Sequence, residues 1–215
     1  MLDLLSFTLV TLSAIFFVVD PFAVIPLFLA ITQGDGASKK RAAARKAALV
    51  STITLLVFAA AGTLIFKLLG ITLGAFRIAG GVLLFLLALD MIRAQRSRVR
   101  SSPDEEHEGI EREDVAVIPL GIPMLAGPGS IAIVMVLMSH AQPSVAHVAI
   151  VVGCIVATGI LTYVILRAAV VVERTLRQTG LNILNRVMGL MLAAVAVQFV
   201  VSGIRDVLPQ IMAPP

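Results

Sequence analysis

The chain has no tryptophan, one tyrosine, one cysteine and three histidines in 215 residues, and only 14% of it is charged. Each shortage excludes something. A single cysteine, Cys154, allows no internal disulfide. His107, His140 and His147 lie in or near loops, and no His-Glu-x-x-His or cysteine–histidine spacing holds a metal. There is no Gly-x-Ser-x-Gly element and no nucleotide-binding loop, so neither a serine hydrolase nor an ATP-driven machine is expected. An intramembrane aspartyl protease needs two deep aspartates, and Asp90 lies too near a span end to partner Asp20. No enzyme is expected. Tyr163 stands alone, so an aromatic belt is nearly absent.

What is present is apolar. Hydrophobic residues make up 59% of the chain and its mean hydropathy is +1.01. A soluble domain is about half apolar and about a quarter charged, so the composition describes an integral membrane protein. Six spans are predicted: Leu4–Thr32, Ala47–Leu69, Leu73–Ile92, Val115–Met138, Val145–Ala169 and Leu181–Val207. Each reaches the ~20 apolar residues that cross the hydrocarbon. The first is too long for a signal peptide and carries Asp20 and two prolines.

The pI near 9.8 does not point to nucleic acid, because the cations sit in loops between spans. Fourteen of the 17 Lys and Arg residues fall on one side: Lys39–Lys46, Arg93–Arg112 and Arg167–Arg186. The positive-inside rule makes that side cytoplasmic and puts both termini outside. Residues 93–114 form the one sizeable polar segment, an arginine cluster followed by seven acids, and read as a charged cytoplasmic linker. Asp90, one turn before Arg93, reads as half of a boundary ion pair.

Two places interrupt the apolar pattern. Asp20-Pro21 sits inside the first span, where a carboxylate costs about 3 kcal/mol on insertion scales. Asp then Pro is also how helices start, with Asp as N-cap and Pro at the first position. Gly127-Pro128-Gly129-Ser130 does the same in the fourth span. Spans 1 and 4 are therefore expected to be broken, which lipid permits only inside protein or beside a water-filled cavity. The chain also repeats. Arg77-Ile78-Ala79-Gly80 opens span 3 and Arg186-Val187-Met188-Gly189 opens span 6, with the prolines Pro21 and Pro128 at nearly the same offset. Three spans per half forces opposite orientations, so residues 1–92 and 115–215 read as two inverted three-helix repeats. The expected fold is an all-α membrane bundle.

The chemistry of the breaks can be stated from the residues. A helix start leaves N–H groups unpaired and carries partial positive charge. The N–H groups of Gly129, Ser130 and Ile131, with the Ser130 hydroxyl, would hold a carboxylate. Pro26 would free the carbonyl of Phe22, and Pro123 that of Pro119, for an ammonium or a small cation. Asp20 has three readings: a plain N-cap, a partner for an ammonium or coupling cation, or a neutral acid that carries the proton. Gln198 is a further deep polar side chain. The plain alternative is that the prolines only kink helices and the glycines only let them pack.

These residues also carry a resemblance. Asp20-Pro21-Phe22-Ala23-Val24-Ile25-Pro26-Leu27-Phe28, Arg77-Ile78-Ala79-Gly80-Gly81, the run from Ile118-Pro119-Leu120-Gly121-Ile122-Pro123 to Gly127-Pro128-Gly129-Ser130-Ile131, and Asn185-Arg186-Val187-Met188-Gly189 with Gln198-Phe199 resemble the MarC family of bacterial membrane proteins. Many members carry Asn where this chain has Asp20, and often Gly in place of Ala23. The family is similar to neutral amino-acid transporters that couple glycine or alanine to a cation, and distantly to LysE-type exporters. The resemblance implies an inner-membrane secondary transporter of a small zwitterion, with no cofactor and with Na+ or H+ as the candidate coupling ion. Its partners would be the lipid bilayer and the small-molecule substrate. The other class is a non-transporting scaffold or sensor whose broken helices only shape the bundle.

Overall fold

The computed structural model describes residues 2–32, 34–93 and 116–212. The expected linker lies outside the described residues from position 94 onward. Among those described, every regular element is helical. In chain order these are α1 (Leu2–Val19), α2 (Ile25–Ile31), α3 (Ala37–Leu69), α4 (Leu73–Ile92), a π-helical segment (Ala116–Leu125), α5 (Pro128–Ala141), α6 (Val145–Arg167) and α7 (Ala169–Met212).

Among the described residues, four helical stretches are long and apolar enough to cross a membrane: Ala37–Gly62, Leu73–Ile92, Val145–Arg167 and Asn182–Leu208. Leu4–Val19 and Pro128–Ala141 are shorter apolar helices, and each adjoins a break. Their exposed side chains are those of a lipid-facing surface. Leu49, Ile53 and Val57 form a stripe on α3, as do Val152, Val156, Ile160 and Val164 on α6, at the spacing of one helix face.

α4 has the limits that its sequence predicts. Gly70 takes φ +64, a left-handed turn that stops α3 at low cost only in glycine. Thr72 then caps α4, its hydroxyl accepting from the Ala75 N–H at 3.2 Å. Two other limits differ. α3 starts at Ala37, ten residues before the predicted span, because Ala37–Ala48 is rich in alanine, lysine and arginine, all good helix formers. The turn expected between spans 5 and 6 is reduced to a break at Ala168, and α7 runs for 44 residues.

Small residues set the closest packing. Gly74, Gly81 and Ala88 recur every seventh residue on α4, and Gly189, Ala196 and Gly203 do so on α7. The two rows meet antiparallel. A Cβ on Gly81 would lie 2.8 Å from the Ala196 carbonyl, and one on Gly203 would lie 2.7 Å from that of Gly74. Lipid provides no hydrophobic drive for helices to associate, so backbone approach of this kind is a main source of packing energy. The same holds where Gly159 of α6 faces Thr52 of α3. α5 lies at the centre, with Ala132–Met138 buried without interruption, as a helix apolar on all sides requires.

Candidate functional site

The first break is built around Asp20. α1 closes with the Asp20 N–H donating to Phe16 O at 2.9 Å. Asp20 itself takes φ +46, a conformation costing about 1 kcal/mol that Asp and Asn accept more readily than other side chains. Its carboxylate Oδ1 accepts from the Ala23 N–H at 3.3 Å, and the residue is wholly buried. Residues 21–24 form a turn, and α2 begins only at Ile25. Phe22 packs edge-on against Phe16, with ring centroids 6.2 Å apart.

The second break follows the π-helical segment. The Ala126 N–H reaches back to Gly121 O at 3.1 Å, the last wide turn of that segment. Gly127 is extended (φ −77, ψ 175), with Pro128 opening α5. The first α-helical bond in α5 runs from the Ile131 N–H to Gly127 O, at 3.0 Å. The N–H groups of Gly129 and Ser130 therefore precede the helical ladder. Ser130 is buried.

The two breaks meet. A Cβ on Gly129 would lie 3.5 Å from Val18 Cγ1, and 3.2 Å from Leu84 of α4. Glycine lets the start of α5 press against the last turn of α1, two residues before Asp20. On the other side of Pro128 lies a cavity of about 520 Å³, lined by Phe58, Phe76, Leu83, Pro128, Ile131 and Met135 among others, all apolar. Its size lies within the range of small-molecule sites.

A feature that sequence reasoning missed runs between α1 and α6. His147 stacks edge-on against Phe7, the Cys154 thiol donates to Thr8 O at 3.8 Å, and Leu166 shares a pocket with Phe28 of α2. α6 therefore runs alongside α1 toward α2. Thr11 lies one turn from Phe7 on α1, and Thr158 and Thr162 follow Cys154 at four-residue spacing on α6. All three are buried, and their hydroxyls have no protein partner among the described residues. Thr8 and Thr52, by contrast, bond the carbonyl one turn back, each at 2.7 Å. A buried hydroxyl without a partner costs about 1–3 kcal/mol and calls for a water or an ion.

The family model described as MarC family integral membrane protein matches residues 5–208. The chain belongs to the MarC family. It is similar to the UPF0056 membrane protein YvbG of Bacillus subtilis (strain 168), with 38% identity over 95% of this chain and 97% of that one. A UPF0056 membrane protein of Methanocaldococcus jannaschii is 37% identical over 95% of this chain and 98% of its own. UPF0056 membrane protein YhcE of Escherichia coli (strain K12) is 32% identical over 92% of each chain. No solved structure matches.

Within this MarC fold, several expected site residues stand differently from their sequence reading. Pro21 is not the first residue of a helix; Pro26 fills that role near the start of α2, because the left-handed Asp20 inserts a turn first. Pro26 is exposed, and the Phe22 carbonyl accepts from the Ile25 N–H at 3.2 Å, so it is not free. The Ile131 N–H is likewise taken. Pro119 and Pro123 lie in the π-helical segment, and their side chains are outside those described. In its i→i+5 register the missing N–H of Pro123 faces the Ile118 carbonyl rather than that of Pro119. Gln198 is exposed on α7, where its amide donates to Ser202 Oγ at 3.4 Å; a partner one turn along serves it there. No ion pair joins Asp90 to Arg93 among the described residues. Asp20, Pro21, Gly127, Gly129 and Ser130 are the candidates that the structure buries around the two breaks.

Proposed function

We propose that this MarC-family chain is a secondary transporter of a small neutral amino acid or similar zwitterion, and not an enzyme. The observation that carries this reading is the meeting of two helix breaks, Val18 against Gly129, beside the buried carboxylate of Asp20. The start of α5 is the complement of a substrate carboxylate, through the Gly129 and Ser130 N–H groups and the positive end of the helix. Asp20 is the complement of an ammonium or a coupling Na+ or H+. The apolar cavity at Pro128 and Ile131 suits an uncharged side chain.

The reading counts α1 with α2, and the π-helical segment with α5, as the broken first and fourth of six spans. Across the halves, α1 packs on α5 and α6, α3 on α6 and on the π-helical segment with α5, and α4 on α7 and α5. An inverted repeat generates such pairs around a pseudo-two-fold axis in the membrane plane, and rocking of one half against the other gives alternating access. Location in the bacterial inner membrane with both termini outside belongs to the same proposal.

Uptake into proteoliposomes tests it. Labelled glycine or alanine should accumulate in vesicles holding the purified protein when a proton or sodium gradient is imposed, and exceed protein-free vesicles. Uptake equal to empty vesicles for every neutral amino acid, in both directions, would leave the scaffold or sensor reading in its place.

A further inference from the structure

A second pocket, of about 260 Å³, lies at the end of the bundle that carries the basic loops, between α2, the first turns of α3 and the junction of α6 with α7. Its floor is apolar, formed by Phe28, Leu166 and Ala169, all buried. Its rim carries three cations from two parts of the chain, Lys40, Arg41 and Arg167, and no described lining residue is acidic. None of the three has a carboxylate within ion-pair distance among the described residues. Arg41 Nε donates to Ala37 O at 3.2 Å, which holds the guanidinium over the first turn of α3 and leaves its terminal nitrogens available for a bidentate contact.

The arrangement breaks a local rule. Lys40 and Arg41 stand in the first turns of a 33-residue helix that has no acidic residue in its first turn. The helix N-terminus is itself positive and disfavours cations. Together with Arg167 this gathers like charges around one pocket, with no compensating carboxylate among the described lining residues. An anion from outside would relieve that repulsion. The apolar floor and the exposed Val170 at the wall exclude a purely ionic ligand as the best fit. They suit a molecule with an anionic head and an apolar body.

We infer that Lys40, Arg41 and Arg167 form a binding site for the phosphate headgroup of an anionic phospholipid. The positive-inside rule assigns this end to the cytoplasmic leaflet, and basic pockets between helices on that side suit anionic headgroups. Because Phe28 belongs to α2, the half-helix after the Asp20 break, an occupied pocket fastens α2 to α3 and α6. The site stands whether or not the bundle transports.

Native mass spectrometry of the full-length protein in detergent tests it, with phosphatidylglycerol, phosphatidylcholine or inorganic phosphate added. The wild type should retain phosphatidylglycerol over phosphatidylcholine by on the order of tenfold or more. The triple variant Lys40→Gln, Arg41→Gln, Arg167→Gln should lose that preference, while Lys39→Gln, which does not line the pocket, should keep it. Equal retention of the two lipids by the wild type overturns the site. So does an unchanged preference in the triple variant, or occupancy by inorganic phosphate with no preference among lipids. Arg41→Gln alone, read in the same way, decides the matter if the triple variant does not fold, and an unchanged preference there also overturns it.

Discussion

Arg77 of α4 donates through Nη1 to Asp206 Oδ2 of α7, and one end of the antiparallel glycine seam, where Gly74 meets Gly203, is tied at this point. Arg77 is buried and its Nε has no partner, whereas Asp206 is exposed. A buried cation that loses its counter-charge is costly, but solvent at Asp206 softens the loss. Asp206→Asn should therefore destabilise the protein by roughly 1–3 kcal/mol, between the exposed and the buried cases. Thermal unfolding in detergent measures it, and the charge swap Arg77→Asp with Asp206→Arg should recover part of the loss. An Asp206→Asn protein as stable as wild type would make the pair incidental.

The seam makes a sharper prediction through its glycines. A Cβ at Gly81 would meet the backbone at Ala196 and Val200, and one at Gly153 would meet nothing within 4 Å. Gly81→Ala should cost about 1–3 kcal/mol, the usual range for overpacking. Gly153→Ala should be neutral or stabilising by up to about 1 kcal/mol, because it removes a helix glycine. The two variants carry the same chemical change, so equal melting temperatures would contradict the packing described.

How much of this was legible in the sequence depends on how local the cause is. α4 could be bounded to the residue because Gly70 and Thr72 act on their own neighbours. The break at Gly127-Pro128 was legible for the same reason. The start of α2 was not. Pro21 and Pro26 both suit a first helical turn, and the choice between them depends on the left-handed Asp20, which packing imposes. Gln198 and the threonines show the other limit. A polar residue in an apolar run announces itself, but which face of the helix it takes is decided by neighbours far along the chain. Gln198 faces out and the three unpartnered threonines face in.

Topology can be checked directly. The charge asymmetry places Lys40, Arg100 and Gln178 in the cytoplasm and Pro143 outside. Reporter fusions after these four residues should divide three to one in that sense. The long α7 does not alter the expectation, because its apolar part starts at Asn182. A cytoplasmic signal at Pro143 would be incompatible with the proposed inverted halves.

Thr158 offers a test in which stability and function move oppositely. Its hydroxyl is buried without a protein partner among the described residues, one turn along α6 from Cys154, which reaches α1. Thr158→Val keeps the shape and removes the hydroxyl. If the hydroxyl has no part in transport, uptake is unchanged. If it holds a water or coupling cation, uptake in proteoliposomes should fall several-fold while the melting temperature holds or rises, by the equivalent of about 1 kcal/mol. Unchanged uptake would remove Thr158 from the mechanism.

Asp20→Asn separates the roles of the buried carboxylate. Asn tolerates the left-handed φ of +46 as well as Asp does, and its side-chain oxygen can still accept the Ala23 N–H. The turn between α1 and α2 should therefore survive, and the protein should fold and insert. Only the charge is lost. If Asp20 holds a substrate ammonium or a coupling cation, affinity in the uptake assay should weaken by about 10- to 150-fold, the equivalent of roughly 1.5–3 kcal/mol for a charged contact. Dependence on the imposed ion gradient should change as well. Asp20→Ala serves as the contrast, because it loses the cap and strains the left-handed turn, and should lower the melting temperature where Asp20→Asn does not. Full uptake with unchanged ion dependence in Asp20→Asn would leave Asp20 as the residue that turns the chain, a role that Asn can fill.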